Sequence, residues 1–540
     1  MPSERTAPRP GAAARRGRAA GAAPPPGRTA GGATACPHRA RADRPHRTAP
    51  GRAGRPPHAV RAHPSPGRRP PLRGRAAAPW LLAGVLFAAY ATVSVSRYHR
   101  LESRSWDLGI LEQAVRAYAR LSAPVVDLKG PGTLALGDHF SPVTALLAPA
   151  YRVFPTPVTL LVAQAALFAL SAVPVTRCAS RLLGHGAGLA VGVAYGLSWG
   201  VQRAVDFDFH EIAFAVPLIA FSLEALLAGR LRASLLWSLP LLLVKEDLGV
   251  TVCAIGLVVA WRARGQPRNR AYALAVAAFG VVAALATLLL VIPGFNSAGD
   301  YDYWSKVGGA DPLTAGAGTK LNTAAWLLVP TTGLLALRSP LVLVALPTAG
   351  WRFLSSDDHY WGTDWHYNAV LMPVLFLAFA DAVDRVRRGS GRPWPRRYAR
   401  HAPACAAAAA LALTTAEPLS ALTDPAAYRK GPGAVAAERL LARVPDGATV
   451  EANVGPVSRL TSRCTVYWIG DPRNPAPEYI ALDIRSGWVR APVAYAAGLH
   501  PRARYRLVAA AAGHVLLKRL PGRAEGLPGQ GTATATAPAR

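Results

Sequence analysis

From residue 79 onward the chain alternates between long apolar runs and short charged clusters. Pro79–Ser96, Ala271–Ile292 and Asn368–Ala380 are nearly uncharged, and several such runs approach the ~20 residues a helix needs to cross a bilayer. Uniformly apolar helices suit lipid, because the helix bonds its own backbone polar groups. Shorter runs such as Leu235–Val244 are ambiguous singly and read as spans in series. The pattern predicts an all-α polytopic membrane protein of about eleven transmembrane helices. They fall near 79–97, 157–177, 186–204, 211–229, 232–245, 247–262, 271–292, 321–337, 339–353, 366–384 and 401–417.

Between the first two spans, loop 98–156 carries Leu108, Leu111, Val115, Tyr118 and Ser122 at helical spacing, with Glu112, Arg116 and Arg120 opposite. That periodicity predicts an amphipathic helix lying at the membrane surface. His139–Phe154 is apolar but short, and reads as re-entrant or interfacial. After residue 420 the period changes. Val435–Val444 reads as a helix and Pro445-Asp446-Gly447 as a turn. Ala448–Asn453, Cys464–Ile469, Glu478–Ile484, Tyr505–Ala510 and His514–Leu520 read as strands, the last two paired across Gly513. This predicts a small extracytoplasmic α/β domain over 425–522, followed by a loose tail over 523–540. The transmembrane domain then covers 79–417.

Residues 1–78 are Arg, Ala, Pro and Gly with almost no large aliphatics. Such a segment buries too little to offset its ordering entropy, so a disordered cytoplasmic tail is expected. It has no apolar core where a signal peptide needs one, which makes the first span an uncleaved anchor; a start site downstream of Met1 fits the same composition.

Charge sharpens the topology. The 540 residues carry a formal net charge of +31, at 51% hydrophobic content and a mean hydropathy of +0.19. A basic balance suggests phosphate backbones, but 17 Arg against Glu4 and Asp43 sit in residues 1–78, about half the excess. Most other arginines lie in short loops, which argues for orientation and against nucleic acid. With the tail inside, Arg177, Arg181, Arg230, Arg232, Arg262, Arg338 and the run Arg385–Arg400 face the cytoplasm. Asp206, Asp208, His210, Glu211, Glu246, Asp247, Asp300, Asp302, Asp311, Asp357, Asp358, His359 and Asp364 then face out, as the positive-inside rule requires. The expected location is the plasma membrane, with multiple passes. Cys36, Cys178, Cys253, Cys405 and Cys464 show no metal spacing.

Several outer clusters carry candidate chemistry, each with a plainer alternative. Asp107 opens the amphipathic helix, either as an N-cap or as a general base at the membrane surface. Asp138-His139 sits before an apolar stretch, as a cap or as part of a substrate site. Asp206-Phe207-Asp208-Phe209-His210-Glu211 packs four ionisable groups into six positions. It is a solvated loop or an oxygen-rich metal site, with Asp206, Asp208 and Glu211 as ligands to a divalent cation. Lys245-Glu246-Asp247 is a polar turn, or it turns Lys245 toward a lipid phosphate with the acids orienting it. In Ser355–His366, Asp357, Asp358, Asp364 and His366 accompany two Trp and a Tyr, a mixture suited to sugars; an interfacial aromatic belt explains the rings alone. No P-loop, Rossmann glycine motif, HExxH or GxSxG stands in a fitting context.

Trp106-Asp107-Leu108-Gly109-Ile110-Leu111-Glu112-Gln113, Gly137-Asp138-His139-Phe140-Ser141-Pro142, Asp208-Phe209-His210-Glu211, Lys245-Glu246-Asp247 and His366-Tyr367-Asn368 together resemble one family of bacterial membrane proteins, domain of unknown function 2079. The likeness covers roughly residues 80–520. That family resembles the C-type glycosyltransferase superfold, whose members typically transfer a sugar from a polyprenyl-phosphate donor to an acceptor outside the cytoplasm, some with a divalent metal. The resemblance makes Asp107 the counterpart of the superfold's acidic residue in the first outer loop. It implies a glycosyltransferase with substrate contacts among Asp138, His139, His210, Lys245, Glu246, Asp247, Asp364 and His366. The rivals are a transporter or flippase for a lipid or small solute, which calls for mid-span charges and broken helices in matching halves, and a non-catalytic scaffold. A cysteine replacing His359 should react with an impermeant thiol reagent added outside intact cells; reaction only after permeabilisation would reverse the topology.

Overall fold

The computed structural model describes residues 73–521 except 105, 307–310, 312–313 and 391–392. The tail expected over 523–540, and that over 1–78 as far as residue 72, lie outside the described residues. Helix α1 (Arg73–His99) runs through Pro79, so it begins before the apolar run itself. Helix α2 (Asp107–Ala119) follows in the first loop, then the long α3 (Pro157–Leu183). Among the described residues, three segments are long and apolar enough to cross a membrane: Ala76–His99, Pro157–Leu183 and Pro267–Phe295. Leu231–Leu243, Leu248–Arg262 and Pro340–Leu354 are apolar but shorter. Length and composition therefore do not reach eleven spans.

The shortfall has a local cause. The run 186–204 breaks at Leu197-Ser198 into His185–Gly196 and Trp199–Asp206. The run 211–229 opens on a 3-10 turn, Glu211–Ala213, before Ala215–Leu227. Pro240 turns the end of 232–245 into a 3-10 segment, Leu239–Leu243. Broken backbone of this kind is tolerated where protein surrounds it, and most of these pieces are buried. At the centre, α6 (Leu371–Arg388) is buried from Leu371 to Val383 and packs on α3 and on Ala215–Leu227. By contrast α1 exposes Trp80, Leu81 and Val85, a surface fit for lipid.

Helices α4 (Leu248–Arg262) and α5 (Pro267–Ala286) lie backbone to backbone. A Cβ at Gly280 would come within 2.6 Å of the Gly249 carbonyl, and one at Gly256 within 2.9 Å of the Ala273 carbonyl. Small residues at such a seam let two apolar helices gain dispersion contact where no hydrophobic force drives them together.

The C-terminal domain is a five-stranded sheet ordered β2-β1-β3-β5-β4. Its strands are β1 (Thr449–Ala452), β2 (Thr465–Trp468), β3 (Tyr479–Asp483), β4 (Tyr505–Ala511) and β5 (His514–Arg519). β1 pairs in parallel with β2 and β3, and β5 runs antiparallel to β3 and β4. Ala512 and Gly513 both take positive φ, 48° and 74°, closing the β4–β5 hairpin with a two-residue turn. The expected helix is α7 (Pro432–Leu441), set slightly earlier than its periodicity indicates; α8 (Val454–Leu460) and α9 (Pro492–Leu499) are additional.

The first loop departs from its expected surface position. α2 is wedged between bundle and sheet. Leu108, Leu111 and Val115 join Tyr98, Tyr151, Leu160 and Phe209 in one apolar cluster. On the other side Gln113 donates to the Val466 carbonyl at 2.9 Å, and Arg116 to the carbonyls of Thr461 at 2.6 Å and Cys464 at 2.9 Å. Glu112, expected to face solvent, is fully buried and accepts hydrogen bonds from Tyr151 and Thr461. The polar face of α2 meets protein because the sheet domain covers it. His139–Phe154 contains a 3-10 turn and one short helix, Ala148–Val153, with Leu146, Val153 and Phe154 exposed, and it does not span.

Gly280→Val should force the α4–α5 seam apart at a cost of about 1–3 kcal/mol, lowering the thermal midpoint in detergent. Gly84→Val, with nothing within 4 Å of the added carbon, should leave that midpoint unchanged.

Candidate active site

One six-residue turn organises the polar end of the bundle. Trp199–Asp206 ends at Phe207, and Asp208 adopts a left-handed φ of 70° that reverses the chain. Gln164 of α3 fixes the turn. Its amide donates to the carbonyls of Ala204 at 3.2 Å and Asp208 at 2.6 Å, and its oxygen accepts the His210 N–H at 3.0 Å. Asp206 is held by Arg97 and, at 2.8 Å, by Arg104; Asp208 accepts the Arg104 backbone N–H at 3.0 Å. Glu211 pairs with Lys245 at 2.7 Å. His210 turns inward, its Nε2 3.2 Å from Asp107 Oδ2 and its ring stacked on His366 with centroids 3.6 Å apart.

A second cluster lies beside it. His139 Nδ1 is 2.7 Å from Glu246 Oε1, and Glu246 also accepts the Phe140 N–H at 3.2 Å and the Tyr301 hydroxyl at 3.0 Å. Burial opposes ionisation of Glu246, yet the His139 imidazole and Lys245 hold its carboxyl at about 2. Asp138 is buried too, and His139, Lys129 and the Tyr303 hydroxyl hold its carboxyl below the usual range. Lys129 Nζ sits 3.1 Å from Asp138 and 5.4 Å from the Trp106 ring centroid. Lys306 lies 5.0 Å from the Tyr303 ring centroid and 3.1 Å from Asp357. Trp106, next to Asp107, packs on Trp468 of the sheet with centroids 4.6 Å apart.

The geometry thus brings Asp107, Asp138, His139, His210, Glu246 and His366 to one end of the bundle, and revises the others. Trp106 takes the cap position of α2 and Asp107 is the first helical residue. Its carboxylate stays 32% exposed, whereas those of Asp206, Glu211 and Glu246 are at most 7% exposed. Lys245 does not turn outward to a phosphate; it is consumed by Glu211. Asp247 is half-buried and, with Trp351, His366 and Tyr367, lines a small cavity. Asp364 stands apart, bonded at 2.7 Å to Arg203, which also grips Glu417 at 2.7 Å.

Asp206, Asp208 and Glu211 do not form a converging ligand set: Arg97 and Arg104 engage Asp206, the Arg104 N–H engages Asp208, and Lys245 engages Glu211. Among the described residues the group with converging ligand atoms is Asp357, Asp358 and His359, an exposed cluster. Sequence reasoning missed Gln164, Lys129, Tyr303, Lys306 and Arg352. Arg352 is fully buried and donates to the carbonyls of Tyr360 and Gly362 and to Asn368 Oδ1, setting the path of the loop before His366. A lone glutamine within an apolar span, and tyrosines alternating with Asp300 and Asp302, were the available signals.

The architecture is an apolar helical bundle whose polar end is closed by a small sheet domain. The crystal structure of ArnT from Cupriavidus metallidurans bound to undecaprenyl phosphate is similar at a TM-score of 0.51 and 14% identity, covering 82% of this chain and 98% of that one. The apo structure of the same protein gives a TM-score of 0.48 at 13% identity over the same shares. The chain belongs to the family DUF2079, described as a predicted membrane protein, whose model matches residues 97–496. No curated protein matches the chain.

Glu112 offers a test of how α2 is held. Burial raises its carboxyl to about 7, against the opposing effect of the Thr461 and Tyr151 hydrogen bonds and Arg116. The folded state therefore binds this proton more tightly than the unfolded chain. The stabilising contribution is complete below the ordinary carboxyl value and is lost as pH rises through about 7. The protection of amides 107–119, relative to their intrinsic exchange at each pH, should fall between about pH 5 and pH 9, and Glu112→Gln should flatten that dependence. An equal dependence in the variant would assign it elsewhere.

Proposed function

We propose that this protein is a membrane glycosyltransferase that moves a sugar from a polyprenyl-phosphate donor to an acceptor hydroxyl, with its polar end and sheet domain on the non-cytoplasmic side. The observation that carries the reading is Asp107, a carboxylate one-third open, oriented by the buried His210 and flanked through Trp106 by Lys129. The fold it shares with an undecaprenyl-phosphate-bound protein supports the donor class.

In the proposed reaction the acceptor oxygen attacks the anomeric carbon and passes its proton to Asp107. The bond from that carbon to the phosphate oxygen breaks, and the electron pair leaves on the phosphate. Lys129 and Lys306, set over the Tyr303 ring and paired with Asp138 and Asp357, share their charge with the leaving phosphate in the role that the sequence suggested for Lys245. Asp138, His139, Glu246 and His366 shape the acceptor side. No step is routed through a metal.

Lipid-linked sugar profiling of a strain lacking the gene should show an accumulated donor, which the wild-type gene clears. Asp107→Asn should express and melt normally yet lose about 10²–10⁴ of the transfer rate, the usual worth of a general base. Clearance by Asp107→Asn at the wild-type rate would remove Asp107 from the mechanism. Lys129→Met should slow transfer about tenfold or more.

A further inference from the structure

Away from the Asp107 site, a groove runs along the His99 end of α1, with a cavity volume of about 310 Å³, the size of small-ligand sites. One wall is α1 itself. Thr92, Val95, Ser96 and His99 fall at i, i+3, i+4 and i+7, hence on one face, and Arg100 follows in the turn. The other wall is the segment Ala427–Lys430, which leads into the sheet domain. The lining is graded: cationic and imidazole groups (His99, Arg100, Arg429, Lys430) gather at the top, and small or apolar residues continue down α1. No carboxylate lines it.

Two acids pair with the cations. Glu102 takes Arg100 Nη2 at 2.7 Å and Glu438 takes Lys430 Nζ at 2.9 Å, holding both side chains in place. Arg100 Nε and His99 Nδ1 remain buried with no hydrogen-bond partner among the described residues. A guanidinium N–H can only donate, so this one calls for an acceptor oxygen. Tyr428, 59% exposed, marks the rim as an aromatic does at a lipid interface. From His99 to Thr92 the stripe descends about 10 Å along the helix axis, where an acyl or prenyl chain would lie.

We infer that this groove binds the anionic phosphate headgroup of a lipid, with Arg100, Arg429 and Lys430 on the phosphate and the lipid chain along Thr92–Ser96 of α1. A basic pocket beside a membrane helix is the general chemistry of anionic-lipid recognition. The inference does not rest on the transfer reaction, since none of these residues belongs to the Asp107 site.

The test uses full-length protein, delipidated in detergent and examined by native mass spectrometry after exposure to phosphatidylglycerol, phosphatidylcholine or inorganic phosphate. Wild type should retain phosphatidylglycerol over phosphatidylcholine. The Arg429→Ala/Lys430→Ala double variant should retain it about tenfold less, and Val95→Trp, which fills the stripe and leaves every cation, should match that loss. If inorganic phosphate displaces the lipid and still binds Val95→Trp at wild-type strength, the phosphate site stands and its source is the free anion. Retention of phosphatidylglycerol by both variants at the wild-type level, or no preference over phosphatidylcholine in the wild type, would overturn the proposal. Variants with an unchanged melting midpoint keep the comparison clear of misfolding.

Discussion

A charge taken out of water must meet a counter-charge, and that constraint shapes the polar end of this bundle. Four ionisable side chains within six residues would be ruinous in an apolar surround if left unpaired. All four are answered from elsewhere in the chain: Asp206 from Arg97 and Arg104, Asp208 from the Arg104 backbone N–H, Glu211 from Lys245, His210 from Asp107. The turn therefore works as a junction. Its ion pairs tie the first loop and the 245–247 turn to the Trp199–Asp206 helix, while Gln164 anchors its backbone to α3. Carboxylates so fully engaged are structural in effect. The partly open Asp107 is distinguished by contrast with them, and its orientation depends on a histidine those pairs hold in place.

The sheet domain takes part in the same end of the molecule. In open α/β sheets, ligands usually settle at the carboxyl ends of parallel strands. Here the segments following β1 and β3 close on the membrane domain. Arg459 of α8 donates to the Tyr98 carbonyl and lies 3.9 Å from its ring centroid, Ser458 meets Ser103 at 3.2 Å, and Arg485 reaches the Leu101 carbonyl at 3.4 Å. The edge on which such a domain would seat a nucleotide is spent on fastening the first loop. That makes the domain a brace for α2, on top of whatever it contacts with its outer surface.

Much of this was legible in the sequence, for identifiable reasons. Apolar blocks announce membrane helices because lipid admits little else, and the five strands show as short runs between turns, the last two across Gly513. The grouping of Asp107, His139, His210, Glu246 and His366 was readable as ionisable residues placed at helix ends. What was not readable is how charges pair once folded. Lys245 was assigned to a phosphate because its partner Glu211, 34 positions away, is not adjacent in the chain. Glu112 was placed on the solvent face of α2 because helical periodicity records which side is apolar and is silent about a second domain covering the polar side. Nor do eleven apolar runs translate into eleven long helices, since hydropathy does not register the 3-10 turns that shorten buried helices.

The hydrogen bond from Thr461 to Glu112 joins residues 349 positions apart. At ordinary rates of translation the ribosome needs tens of seconds to make that stretch. The helix that bears Asp107 is made early, with its Glu112, Gln113 and Arg116 flank uncovered, and waits for nearly the whole chain before its partner exists. Any quality-control machinery that senses exposed polar helices would meet this protein in a long immature phase. A nascent chain stalled before residue 461 would hold a bundle with its first loop unset.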